Sequence, residues 1–192
     1  MRRDETIKYQ PENHHLLQAN RWRVARWSVA VLLLFLPAVA MQFTSEVAWT
    51  AADFIVFGVM LFGACGIYEL MTRRSPHRAY KLASGVAVVS AFFLIWINLA
   101  VGMIGDQDHA ANMMYVGVLG IAFIGMFLAR FKSQGMAQAF VATAFAQALV
   151  AVTTLLMGFG KAFIVSGVFA ALWLLSAMLF YKAARETERA SD

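Results

Sequence analysis

The chain has 192 residues, of which 61% are hydrophobic and 14% are charged, and its net charge is +5. Soluble domains contain roughly 45–50% apolar residues, so this composition excludes an ordinary soluble domain. No basic patch stands on a separate domain, which argues against nucleic-acid binding.

Six apolar runs follow one another along the chain, at residues 24–41, 47–71, 80–104, 113–131, 136–159 and 162–181. A helix needs about 20 residues to cross a bilayer, and backbone groups in lipid must be satisfied within the helix. The sequence therefore predicts an all-α integral membrane protein with six transmembrane helices. It divides into a polar arm at 1–23, a transmembrane domain at 24–182 and a tail at 183–192. Ala38-Val39-Ala40 also fits a signal-peptide cleavage site, but the segment before the first run is long for such a peptide.

The basic residues indicate how the chain is oriented. All 16 Lys and Arg residues except Lys161 lie before or at the start of the first run, around the boundary between the second and third runs, around that between the fourth and fifth, or after the sixth. Basic residues accumulate on the cytoplasmic side of membrane proteins, so we expect both termini to be cytoplasmic. The positive net charge reflects this bias and attraction to anionic lipid.

A short pattern recurs in three of the runs. Residues 54–59 are repeated at 163–168, and a looser copy occupies 113–118. The repeats predict three tandem parallel helix hairpins, at 24–74, 80–132 and 136–182, related by pseudo-threefold symmetry about the membrane normal. Chance is the alternative, because apolar segments share letters readily.

Polar groups within membrane spans are costly and therefore mark candidate functional sites. The candidates for a solute-binding site are Asp53, Asn98, Asn112, Tyr115 and Gln147. An outer acidic mouth is predicted at Glu46, Asp106 and Asp108. Asn98 is expected roughly 9 Å inside the third run, at 1.5 Å per residue.

Each candidate also has a structural interpretation. Asp53 and Asn112 can cap their helices, and Asn98 can make a structural hydrogen bond. Gln147 and Thr143 can hydrogen-bond a neighbouring helix. Glu69 and Arg73, four residues apart, are expected to form an ion pair near the end of the second run.

Enzyme and metal motifs are absent from the sequence. The four histidines lie outside the apolar runs, and no zinc, P-loop or nucleophile-elbow pattern occurs. Asp106, Asp108 and Asn112 resemble the start of a calcium loop, but the required glycine and glutamate are missing. We therefore expect no catalytic residue, no metal and no cofactor.

Two stretches carry a family resemblance: residues 96–115, especially 98–102 and 112–115, and residues 135–148. They resemble uncharacterised small multi-pass inner-membrane proteins of Gram-negative bacteria, which implies a location and no activity. The leading expectation is a protein that binds or conducts a small solute or cation from the periplasmic side. The alternative is a non-catalytic accessory or scaffolding subunit, in a homo-oligomer or with another membrane subunit. A membrane enzyme acting on lipid or quinone has the least support.

Overall fold

The computed structural model describes residues 12–45, 48–105 and 109–190, with side chains described from residue 23 onward. The helices are α1 (Glu12–Ala40), α2 (Ala51–Thr72), α3 (Arg78–Ala100), α4 (Met113–Leu128), α5 (Ser133–Leu156) and α6 (Gly160–Arg189), with a 3-10 turn at Ala110–Asn112 before α4. Each helix, α4 together with the preceding 3-10 turn, contains a stretch long and apolar enough to cross a membrane. The predicted all-α class and the six spans are confirmed in length and composition, as is typical of a multi-pass membrane protein.

The end of α3 differs from the prediction. The helix stops at Ala100, short of residue 104, because Gly102 and Gly105 adopt φ angles of 68° and 62°. These left-handed conformations favour glycine and end a helix. Asn98 therefore lies two residues, about 3 Å along the axis, from the end of α3, not the six residues expected.

The outer helices are longer than their apolar runs. α1 begins at Glu12, inside the predicted polar arm, and continues past Pro37 to Ala40. α6 continues through most of the predicted tail to Arg189. The arm and the tail are thus partly helical extensions of the first and last spans.

The chain divides into two compact units, residues 1–65 and 66–192. In the first unit, α1 and the first part of α2 pack antiparallel. The rings of Trp27 and Phe62 stack with their centres 5.9 Å apart. Leu34 lies 3.7 Å from where a Cβ atom on Gly58 would stand.

The second unit contains the end of α2 and all of α3 to α6. α5 packs closely on α6, while α3 lies against α6 and α4 lies against α5. Phe140 of α5 stacks on Trp173 and Phe180 of α6, with ring centres 5.6 and 5.4 Å apart. Tyr80 of α3 meets Phe180 edge-on, and its hydroxyl donates to the Phe131 carbonyl at 2.9 Å.

Two glycines allow α4 and α5 to approach closely. A Cβ atom on Gly125 would stand 2.8 Å from the Cβ of Ala139, and one on Gly135 would stand 2.9 Å from that of Ala129. Small residues give such contacts between membrane helices, where no hydrophobic force draws the helices together. The two contacts also fix an antiparallel register between α4 and α5.

The predicted hairpins are not packed alike within the second unit. The helices of the third hairpin, α5 and α6, are close neighbours, whereas α3 and α4 of the second hairpin are not among the closely packed pairs. The pseudo-threefold repeat therefore stays a prediction.

The basic residues of the second unit, apart from Lys161 at the start of α6, gather at one end of its helices. The contacts of Tyr80 with Phe131 and Phe180 bring the start of α3 to the ends of α4 and α6. The Arg74 guanidinium lies 5.5 Å from the ring centre of Phe131, so the end of α2 is there too. We call this the basic end; its bases are Arg73, Arg74, Arg78, Lys81, Arg130, Lys132, Lys182, Arg185 and Arg189. The predicted ion pair of Glu69 and Arg73 is confirmed at 2.6 Å.

Candidate solute-binding site

Polar side chains line the interior of the second unit. The buried set comprises Glu69, Ser84, Ser90, Asn112, Thr143, Gln147, Thr154, Ser166 and Ser176. Several of the hydroxyl groups donate to a carbonyl three or four residues earlier in their own helix, as Ser84, Ser90, Thr143 and Thr154 do. These groups are satisfied locally and require no ligand.

Two hydroxyl groups instead connect different helices. The Tyr115 hydroxyl of α4 and the Ser166 hydroxyl of α6 lie 2.8 Å apart. The Ser176 hydroxyl donates to the Ala83 carbonyl of α3 at 3.0 Å. The predicted site residue Tyr115 thus has a partner and helps to position α6.

The structure brings together two other predicted residues, Asn98 and Asn112. The Asn98 side-chain nitrogen donates to the Asn112 carbonyl at 3.4 Å, which is a long bond. The Asn112 side-chain oxygen accepts from the backbone N–H groups of Met103 and Ile104, at 3.2 and 2.9 Å. Asn112 makes no side-chain capping bond to α4, so it holds the segment after α3 in place. The Asn98 side-chain oxygen is buried without a partner.

Gln147 is the least satisfied of the predicted residues. Its side chain is fully buried, and neither its amide nitrogen nor its amide oxygen has a hydrogen-bond partner. The indole nitrogen of Trp173, also fully buried, has none either. Thr143 donates to the Ala139 carbonyl of its own helix, and the Gln147 amide makes no bond to it. An amide left unpaired in an apolar interior costs several kcal/mol, so these groups call for a polar partner.

The helix register places Gln147 close in depth to Tyr115 and places Trp173 farther toward the basic end. The contact of Gly125 with Ala139 puts Gln147 about 3 Å along the axis from Tyr115. Trp173 lies about 10 Å from Ser166, the partner of Tyr115, toward the basic end. The stretch from Gln147 to the end of α5 is about 14 Å long, which is roughly half a membrane thickness.

Asp53 belongs to the first unit and has local partners. Its carboxylate accepts from the backbone N–H and the hydroxyl of Thr50, both at 2.7 Å, and its own N–H donates to the Thr50 hydroxyl at 3.3 Å. This reciprocal pair is a capping box at the start of α2. The capping interpretation of Asp53 therefore agrees with the structure. The predicted mouth residues Glu46, Asp106 and Asp108 lie outside the described residues.

The residues that sequence reasoning missed are Ser166 and Trp173. Tryptophan prefers the membrane interface, so an indole well inside the sixth run was an available signal. Ser166 offered none, because a hydroxyl that bonds its own helix looks the same in sequence as one that bonds a neighbour. Within the described residues, no group of three or more His, Cys, Asp or Glu could hold a metal ion.

Comparison of the chain with protein-family models, curated proteins and solved structures finds no match. The site is therefore interpreted from its geometry. That geometry is a set of neutral donors and acceptors, from Gln147, Trp173 and Asn98, buried in one bundle of apolar helices.

Proposed function

We propose that this chain is a multi-pass inner-membrane protein that binds a small polar solute and conducts it from the periplasmic side. The observation that carries the proposal is the fully buried Gln147 amide, whose two polar atoms have no protein partner. A bound solute, with or without water, would supply the missing hydrogen bonds.

The kind of solute follows from the unpartnered atoms. Gln147 offers a donor and an acceptor, Trp173 offers a donor, and Asn98 offers an acceptor. A bare cation would use the two oxygens and leave the N–H groups unpaired, so this set favours a solute that both donates and accepts. Two neutral bonds to the Gln147 amide, at about 0.5–1.5 kcal/mol each, would give millimolar affinity or weaker. Such affinity suits a site that releases its ligand.

The proposed orientation follows the basic residues. The basic end would face the cytoplasm together with both termini, and the solute would enter at the opposite end, where Asn98 and Asn112 meet. The resemblance to Gram-negative inner-membrane proteins supports this membrane. The three parallel hairpins stay part of the proposal, although their unequal packing weighs against them.

A thermal-shift screen of the purified protein tests the solute site. The variant Gln147→Leu removes both amide atoms with little change of volume, and Thr143→Val removes a hydroxyl that is already satisfied one turn away. Amino acids, polyols and small organic ions are added in turn. We expect at least one compound to raise the melting temperature of the wild type and of Thr143→Val. The same compound should leave Gln147→Leu unmoved, because a ligand stabilises only the state that binds it.

The contrary outcome is equally specific. If no compound moves the wild type while Gln147→Leu merely melts at a higher temperature, the amide is a defect of packing and the solute site is refuted.

The second candidate is a non-catalytic accessory subunit whose polar residues hold its helices together. The bonds of Tyr115 with Ser166 and of Ser176 with Ala83 favour it, because both join different helices. Purification in a mild detergent distinguishes the two functions. An accessory subunit should elute with a stoichiometric partner and be unaffected by every solute, whereas a solute-binding protein should respond to solute by itself.

A further inference from the structure

A groove of about 870 Å³ runs along the surface of the second unit between α5 and α6. The buried residues Ala137 and Ala177 form its floor. Its walls are Val141, Phe145, Leu174 and Met178, which are between 47% and 69% exposed. The small side chains of the floor and the large exposed side chains of the walls together form an open groove on the surface. In a bundle of membrane-spanning helices, an exposed apolar groove of this kind lies open to the acyl chains of the lipid.

Polar side chains are confined to one end of this groove. They are Gln134, Gln138, Tyr181, Lys182 and Arg185. The Arg185 guanidinium lies 5.6 Å from the ring centre of Tyr181, a cation–π contact that holds the charge at the mouth of the groove. No carboxylate is among the described residues that line the groove. The mouth therefore presents two positive charges and several N–H donors to a ligand.

The groove is as long as one leaflet of a bilayer. From Gln134 to Phe145 along α5 it extends about 16 Å, and half of a hydrocarbon core is about 15 Å. Gln138 is exposed one turn inside this length, where an amide facing only acyl chains would be costly. An ester oxygen of a phospholipid at that depth would satisfy it.

We infer that this groove binds one acidic phospholipid of the leaflet at the basic end. Its acyl chain would lie on Ala137 and Ala177, and its phosphate would bind Lys182 and Arg185. The charge of the mouth, the apolar body of the groove and its one-leaflet length select this occupant over a soluble anion. The inference rests on the membrane-spanning part of the proposed function and is independent of the solute site at Gln147.

Native mass spectrometry of the purified full chain tests the inference. The probes are phosphatidylglycerol and phosphatidylcholine with the same acyl chains, and soluble glycerol phosphate without chains. The test variant is Lys182→Gln with Arg185→Gln. The matched control is Arg78→Gln with Lys81→Gln, which removes the same charge from exposed positions of α3 outside the groove.

We expect the wild type and the control to retain phosphatidylglycerol in preference to phosphatidylcholine. The test variant should bind phosphatidylglycerol about thirtyfold more weakly, since a base near an anionic headgroup contributes about 1 kcal/mol, roughly a factor of five. Ala142→Phe, which fills the groove without changing its charge, should weaken the binding of both lipids.

Three results would overturn the inference. Equal losses in the test variant and the control would show only general attraction of acidic lipid to the basic end. Binding of glycerol phosphate as strong as that of phosphatidylglycerol would indicate a soluble-anion site. A dimer that Ala142→Phe dissociates would show that a second copy of the chain occupies the groove. Because Gln147 takes no part, these results leave the solute proposal untouched, and the thermal-shift screen judges that proposal separately.

Discussion

Gly125→Ala and Gly120→Ala place the same methyl group at two positions of α4 that differ in one respect. A Cβ atom on Gly125 would stand 2.8 Å from the Cβ and 3.4 Å from the Cα of Ala139, whereas one on Gly120 would meet nothing within 4 Å. Neither atom of Ala139 can rotate away, because a methyl carbon and a backbone carbon are fixed to the helix. The Gly125 variant must therefore push α4 and α5 apart.

The two variants share every effect except this clash. Alanine is favoured over glycine in a helix by up to about 1 kcal/mol, so Gly120→Ala should be neutral or stabilising. Inserting a methyl group into a filled interface typically costs about 1–3 kcal/mol. We therefore expect Gly125→Ala to have a free energy of unfolding about 1–3 kcal/mol below that of Gly120→Ala.

The assay is reversible unfolding in mixed micelles of increasing dodecyl sulfate content, followed by circular dichroism. Equal stability of the two alanine variants would refute the close approach of α4 and α5. So would a destabilised Gly120→Ala beside an unaffected Gly125→Ala.

Three further experiments test the contacts and the orientation. Asn112→Ala should lower the free energy of unfolding by about 1–3 kcal/mol, because it leaves two backbone N–H groups unpaired. Asn98→Ala should lower it by nearer 0.6 kcal/mol. A larger loss for Asn98→Ala than for Asn112→Ala in the same micelle assay would contradict the assigned bonds. Tyr115→Phe and Ser166→Ala should each destabilise the protein. In a double-mutant cycle the combined loss of stability should be smaller than the sum of the two single losses, because both variants remove the same hydrogen bond. Full additivity would show that no bond joins the two side chains. In a variant that lacks the native cysteine, a cysteine replacing Ser191 should not react with an impermeant thiol reagent on intact cells. A cysteine in the loop between α3 and α4 should react. Labelling at the C-terminus would contradict the proposed orientation.

The sequence predicted those features of the fold that depend on local chemistry. Apolar length alone determines that each of the six runs forms a helix, because backbone groups in lipid have no other partners. The ion pair of Glu69 and Arg73 was also predictable, because helix geometry brings residues four apart together. The end of α3 was not, because apolar residues continue past Ala100 while the left-handed glycines after it end the helix.

The candidate site depends on contacts between distant parts of the chain, and there sequence reasoning was incomplete. The free-energy cost of burying an amide in a membrane identified Gln147 as a candidate. Whether that amide has a hydrogen-bond partner depends on which groups of α6 lie beside it. Asn98 and Asn112 meet where Met103 and Ile104 bond the Asn112 side chain, and no periodic pattern encodes these contacts. Trp173 belongs to the candidate site because its ring stacks on Phe140 and its N–H has no partner, and both facts depend on the packing of α5 against α6.

The most direct test of a solute at Gln147 is an experimental density map of the protein in a lipid nanodisc, at a resolution that shows ordered water. We predict density for water or solute about 2.7–3.2 Å from the Gln147 amide. Adding the compound that raises the melting temperature should replace that water by solute. A dry interior, or a Gln147 amide bonded to protein groups alone, would contradict the proposal.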